Sequence, residues 1–115
     1  MPILSATSIG AFAVPRNSNI SYIMNTYILW QDSSGTMQVS WQDDDSGWKG
    51  PSSFPALSGA DNGTAIACLT PNAWPLSNLK AQYDMSRCYF QASGLLKEVL
   101  YNGSDWMIIG NVPTS

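Results

Sequence analysis

The 115 residues are 44% hydrophobic and 11% charged, a balance that buries a core and excludes a disordered segment. The formal net charge is −3, and the five Lys and Arg, at positions 16, 49, 80, 87 and 97, form no cluster along the chain, so a nucleic-acid partner is not expected. There is no His, which removes His-based catalytic triads and His metal sites. No apolar run reaches the ~18 residues of a membrane span, so membrane insertion is not expected.

The opening MPILSATSIGAFAV lacks a basic stretch followed by a continuous apolar one. A soluble chain without a secretory signal is therefore expected, cytoplasmic or exported by a non-classical route. Further along, short runs rich in β-branched and aromatic residues alternate with Ser-Ser-Gly, Asp-Ser-Gly, Ser-Gly and Asn-Gly. Such punctuation suits strands joined by hairpins. Strands are predicted near residues 8–14, 25–32, 36–42 and 47–49, then near 64–69, 86–92, 95–101 and 106–109. The segment 71–86, with Trp74 followed by Pro75, is predicted to be a surface excursion between the first two strands of the second group.

The two groups are copies. Tyr27–Trp48 laid over Arg87–Trp106 matches Trp30 with Phe90, Gln31 with Gln91, Gly35 with Gly94 and Trp48 with Trp106. The spacing is sixty residues before the glycine and fifty-nine at it. An all-β chain of two four-stranded antiparallel β-propeller blades is expected, residues 1–55 forming the first and 56–115 the second. Two blades leave sheet faces unpaired, so closure requires either several chains in a ring or further blades in a longer chain.

In the second copy, Arg87-x-Tyr89-Phe90-Gln91, the turn Gly94, Glu98, Tyr101 and Trp106 resemble a blade of the fungal fucose-specific lectin family. The first copy keeps the frame through Trp30, Gln31, Gly35 and Trp48, but has Tyr27 where Arg would stand and Val39 where Glu would stand. The resemblance implies a six-bladed propeller, completed by trimerisation as in the family's two-blade bacterial members. The ending, residues 110–115, also looks like the tail of the longer fungal lectins, which leaves a fragment of a six-blade chain open.

The resemblance further implies a sugar between adjacent blades, with Arg87 and Glu98 gripping hydroxyls and Trp48, with Trp41, of the next subunit's first blade covering an apolar sugar face. The chemistry is sound in itself. A carboxylate accepts from neighbouring hydroxyls, a guanidinium donates in a fixed fork, and an indole excludes water from both. At the junction inside the chain, Tyr101 and Trp106 would form the aromatic wall, facing Tyr27 and Val39, which offer no charged grip. Fucosylated glycans and further copies of the chain are the expected partners, with no cofactor and no catalysis.

Glu98 is the only Glu and Arg87 one of two Arg. The bland alternative for them is a cross-strand ion pair on an exposed sheet, and for Trp48 and Trp106 a core aromatic closing each blade. Asp43, Asp44 and Asp45 read as a solvated hairpin tip, since their spacing is not that of a calcium loop. Cys68 and Cys88 read first as small buried core residues, with a disulfide between neighbouring strands as the alternative. A propeller scaffold without sugar binding is the second reading of function. An enzyme using an apolar pocket near Tyr27 and Trp30 is the third, and no acid–base pair supports it.

Overall fold

The computed structural model describes residues 3–15, 24–43, 46–69 and 86–114. The predicted excursion at 71–86 falls outside these residues except for Ser86, as do Asp44 and Asp45 of the predicted hairpin tip.

The described chain is all-β, without an α-helix. A first antiparallel sheet holds β1 (Gly10–Pro15), β2 (Met24–Gln31), β3 (Met37–Gln42) and β4 (Lys49–Ser52). A second holds β5 (Ile66–Leu69), β6 (Ser86–Ala92), β7 (Leu95–Tyr101) and β8 (Trp106–Val112). In each, the strands lie side by side in chain order. A single 3₁₀ turn, Pro55–Leu57, begins the connection between the sheets. The hairpin between β6 and β7 has only two central residues, Ser93 and Gly94, both at positive φ of 54° and 75°. That backbone twist matches the strands it joins, which is why a glycine stands at its second position.

Alternation along the strands sends two sets of side chains to opposite faces. The inner face of the first sheet carries Phe12, Tyr27, Leu29, Val39 and Trp41. It packs on Ile66, Cys88, Phe90, Val99 and Tyr101 of the second, forming one shared core. Leu29, Cys88, Phe90 and Val99 are fully buried there. The contact is tight at Gly10, where a Cβ would lie 3.0 Å from Cys68 Sγ and closer still to Ile66 Cγ2. Only glycine lets β1 approach β5 so closely.

One expectation needs correction: Cys68 and Cys88 are joined as a disulfide. They stand directly opposite each other on β5 and β6, with Cα atoms 4.0 Å apart. Register, which a count of cysteines does not contain, brings them together.

The repeat also extends further upstream than the sequence match. Leu4 N donates to Gln31 O (2.9 Å), Thr7 N to Leu4 O (3.1 Å) and Gln31 N to Thr7 Oγ1 (2.9 Å). In the second sheet Asp61 N donates to Gln91 O (2.8 Å), Thr64 N to Asp61 O (3.0 Å) and Gln91 N to Thr64 Oγ1 (2.8 Å). Each sheet is thus preceded by a turn that one threonine ties to the end of its second strand.

Candidate functional site

Arg87 and Glu98 are brought together on the face of the second sheet that points away from the first. Arg87 lies in β6 and Glu98 in β7, where Glu98 pairs with Tyr89, two residues beyond Arg87 on the same face. Arg87 Nη1 donates to Glu98 Oε2 at 3.1 Å, and the Tyr89 hydroxyl donates to the same oxygen at 2.8 Å. Among the described residues, Glu98 Oε1 takes part in no hydrogen bond. The side chains of Arg87 and Glu98 are 29% and 17% exposed, so the pair is sheltered but reachable. Burial raises the pKa of Tyr89 above its ordinary value, and its bond to Glu98 adds to the rise. Tyr89 therefore stays protonated and keeps donating. Its part in the cluster was missing from the sequence-based site, although the i, i+2 alternation from Arg87 carried the signal. Beside Arg87, its cross-strand partner Leu69 is 58% exposed.

Trp48 lies elsewhere. It is 54% exposed, in a groove of about 320 Å³ on the outer face of the first sheet, with Ile28, Trp30, Ser40, Lys49 and Gly50. Trp30 Nε1 donates to Ser40 Oγ at 3.0 Å and floors that groove. Trp41 sits on the opposite, inner face, so Trp41 and Trp48 do not share a site within the chain. Tyr27 and Trp30 are likewise on opposite faces, which leaves no single pocket between them.

Trp41, Tyr101 and Trp106 meet in a second groove of about 320 Å³, at the junction of the two sheets, with Tyr27, Val39, Asp43, Ser52, Phe54 and Ser104. The Tyr101 ring centre is 4.8 Å from Tyr27 and 5.1 Å from Trp106. The Tyr27 and Tyr101 hydroxyls are 3.2 Å apart, and Tyr101 donates to Gly103 O at 3.0 Å. Tyr27 and Val39 take the positions that Arg87 and Glu98 hold in the second copy, and Trp106 takes that of Trp48. The two halves of this junction recur, separated, as the Arg87–Glu98 face and the Trp48 groove.

A third hollow, about 580 Å³, runs between the β2–β3 turn and the linker, from Ser34 to Ala60. It is lined by hydroxyls, glycines and apolar groups and holds no titratable side chain. Among the described residues no group of three or more His, Cys, Asp or Glu side chains is gathered as for a metal ion. No described helix is long and apolar enough to cross a membrane.

No protein-family model, curated protein or solved structure matches this chain.

Proposed function

We propose that the chain is a non-catalytic carbohydrate-binding lectin of the fungal fucose-specific kind, taking fucose or a fucose-like sugar at the junction between copies. The observation that carries this reading is the Arg87–Tyr89–Glu98 cluster. Two donors hold one oxygen of the Glu98 carboxylate, and the group as a whole is an acceptor suited to sugar hydroxyls. Trp48 of a second copy supplies the apolar cover. Tyr101 and Trp106, with Trp41, are the matching wall at the junction inside the chain.

Head-to-tail assembly into a six-bladed trimeric propeller is supported by Gln31. Its Nε2 donates to Gly35 O (2.9 Å) and Asp61 O (3.0 Å), and its Oε1 accepts from Gly63 N (3.0 Å). One side chain therefore fastens the first sheet to the turn that leads into the second. Gln91, the counterpart, is exposed. The counterparts of Asp61 O and Gly63 N are Leu4 O and Ala6 N, here those of a further copy. The disulfide favours an oxidising setting, and of the expected locations it supports non-classical secretion.

Calorimetry with fucose and fucosylated oligosaccharides tests the site: Arg87→Ala and Glu98→Gln should each lower affinity at least about a hundredfold, since each leaves a charged or hydrogen-bonding partner unmatched. Unchanged binding in both variants refutes the assignment. Solution mass tests the ring: a trimer is expected. The second reading, an assembly scaffold without sugar binding, is favoured by Tyr27 and Val39, which fill one junction with neutral groups. A trimer that binds no fucosylated glycan would establish it.

A further inference from the structure

We propose that the groove between the two sheets binds an organic ammonium ion, a quaternary or methylated amine, held against aromatic rings with Asp43 at its mouth. The site reassigns Trp41, Tyr101 and Trp106, the wall of the junction inside the chain, and stands apart from the charged sugar grip, because Arg87 and Glu98 take no part in it. Five aromatic side chains line it: Tyr27, Trp41, Phe54, Tyr101 and Trp106. Neighbouring rings are inclined rather than stacked, Tyr101 to Trp106 by 40° and Phe54 to Trp106 by 41°, so the lining is a set of non-parallel rings. A volume of about 320 Å³ suits a small ligand of this size.

Hydrogen-bond chemistry decides against a sugar here. The Tyr101 hydroxyl donates to Gly103 O, so in its contact with Tyr27 it must accept, and Tyr27 donates. Both protons are committed inside the protein. Ser104 Oγ is engaged with Asn102 and Asp105. Beyond Asp43 and Ser52, a hydroxyl-rich ligand would meet mainly rings and leave part of its own polar groups short of partners, at a free-energy cost for each. A methylated ammonium needs no hydrogen bonds and is attracted by the negative faces of the rings.

Charge points the same way. Among the described residues, Asp43 is the only charged one lining the groove. It pairs with Lys49, which lines the groove on the other face of the first sheet. Both side chains of the pair are more than a third exposed, and such pairs are weak, so the carboxylate can also meet a second cation. Tyr101 is held above its ordinary pKa first by burial, and further by the charges of Asp43 and Asp105. Two carboxylates therefore act on the wall of this groove, in a chain of net charge −3.

Titration of the full chain with choline, followed by tryptophan fluorescence and calorimetry, tests this against 3,3-dimethylbutan-1-ol, the uncharged carbon analogue of the same shape. Choline should saturate the site, with the analogue roughly 3- to 30-fold weaker, the range of a cation–π contact between exposed and desolvated settings. Trp106→Ala should abolish binding, Asp43→Asn should weaken it by about threefold or more, and Arg87→Ala should leave it unchanged. Should Trp106→Ala fail to fold, Asp43→Asn and the neutral analogue decide. No saturation by choline, equal affinity for the analogue, no effect of Asp43→Asn, or displacement of choline by fucose would each overturn the proposal.

Discussion

Gln31 and Gln91 close the second strand of their sheets in the same register, each leading into the turn to the third strand. Each gives its backbone N–H to a threonine hydroxyl from the turn before the sheet, at 2.9 Å for Gln31 and 2.8 Å for Gln91. Their side chains diverge: Gln31 is fully buried, and Gln91 is exposed. The difference lies in the neighbour each sheet has, because Gln31 has the second sheet's leading turn to grip. The same residue at the same place in the strand is thus buried against a neighbouring sheet in one copy and exposed in the other. A residue's worth here depends on its neighbour more than on its own strand.

The largest effect expected from that comparison is at Gln31. Gln31→Ala removes a fully buried side chain and takes the partner from Gly35 O and Gly63 N, while Asp61 O keeps Thr64 N, a loss of about 2 kcal/mol after partial repair by water, read as a lower denaturant midpoint. Gln91→Ala should leave the stability of a single chain unchanged and, in the proposed ring, weaken the assembly, read as a smaller solution mass. Equal destabilisation by the two substitutions would show that the junction inside the chain is not what sets them apart.

Covalent chemistry also distinguishes the copies. The counterpart of the Cys68–Cys88 pair in the first sheet is Ala11 opposite Ile28. β5 has four residues where β1 has six, so the disulfide holds the shorter of the two leading strands. It closes a loop with a sequence separation of 20, for which chain entropy in the unfolded state predicts roughly 3 kcal/mol. Reduction should lower the denaturant midpoint accordingly. If reduction leaves it unchanged, the four-residue pairing suffices without the bond.

The β2–β3 and β6–β7 turns meet one demand in two ways. In the first, Asp32 Oδ1 accepts from Ser34 N, Ser34 Oγ and Thr36 N, and Oδ2 from Gln38 Nε2. In the second, Ala92 stands at that position, and Asp61 reaches over from the linker to accept from Ser93 N (2.8 Å) and Gly94 N (2.9 Å). Its hydrogen bonds, led by those of Ser34 and Gln38, hold the Asp32 carboxyl down from 3.8 to about 2. A folded-state pKa below the unfolded one gives stability that is present above the unfolded value and lost as pH falls through the folded one. Melting temperature should therefore fall between pH about 4 and about 2, and Asp32→Asn, which keeps an acceptor for the turn amides, should flatten that limb. An unchanged acid limb in the variant would transfer the effect to other carboxylates.

Strand positions were legible because alternation and turn residues are local: β6 and β7 fall on the residues expected, and β8 runs three residues beyond its expected end. The diagonal approach of Arg87 and Glu98 across β6 and β7 follows from the two-residue hairpin at Ser93-Gly94, which fixes register. Trp41 and Trp48 were harder. Trp41 lies in β3 and Trp48 just before β4, so no single run of alternation relates their faces. The leading turns escaped notice because Leu4 and Asp61 act through backbone groups, which different side chains supply equally well. Threonine at 7 and 64 was the only side-chain signal.

Those leading turns allow the finest test. Ala6 and Gly63 occupy the same left-handed position, with φ of 60° and 78°. An alanine there costs roughly 1 kcal/mol or slightly more, while a glycine costs a similar amount in unfolded-chain entropy. The added Cβ at Gly63 would meet nothing within 4 Å, so backbone strain alone acts. Gly63→Ala should therefore destabilise by about 1 kcal/mol at most, and Ala6→Gly should change stability by less than about 0.5 kcal/mol. Because Gly63 N also donates to Gln31 Oε1, the Gly63→Ala cost should shrink in a Gln31→Ala background. Strict additivity of the two would mean that the turn keeps its shape without the glutamine, and that the side chain only fills space at the junction.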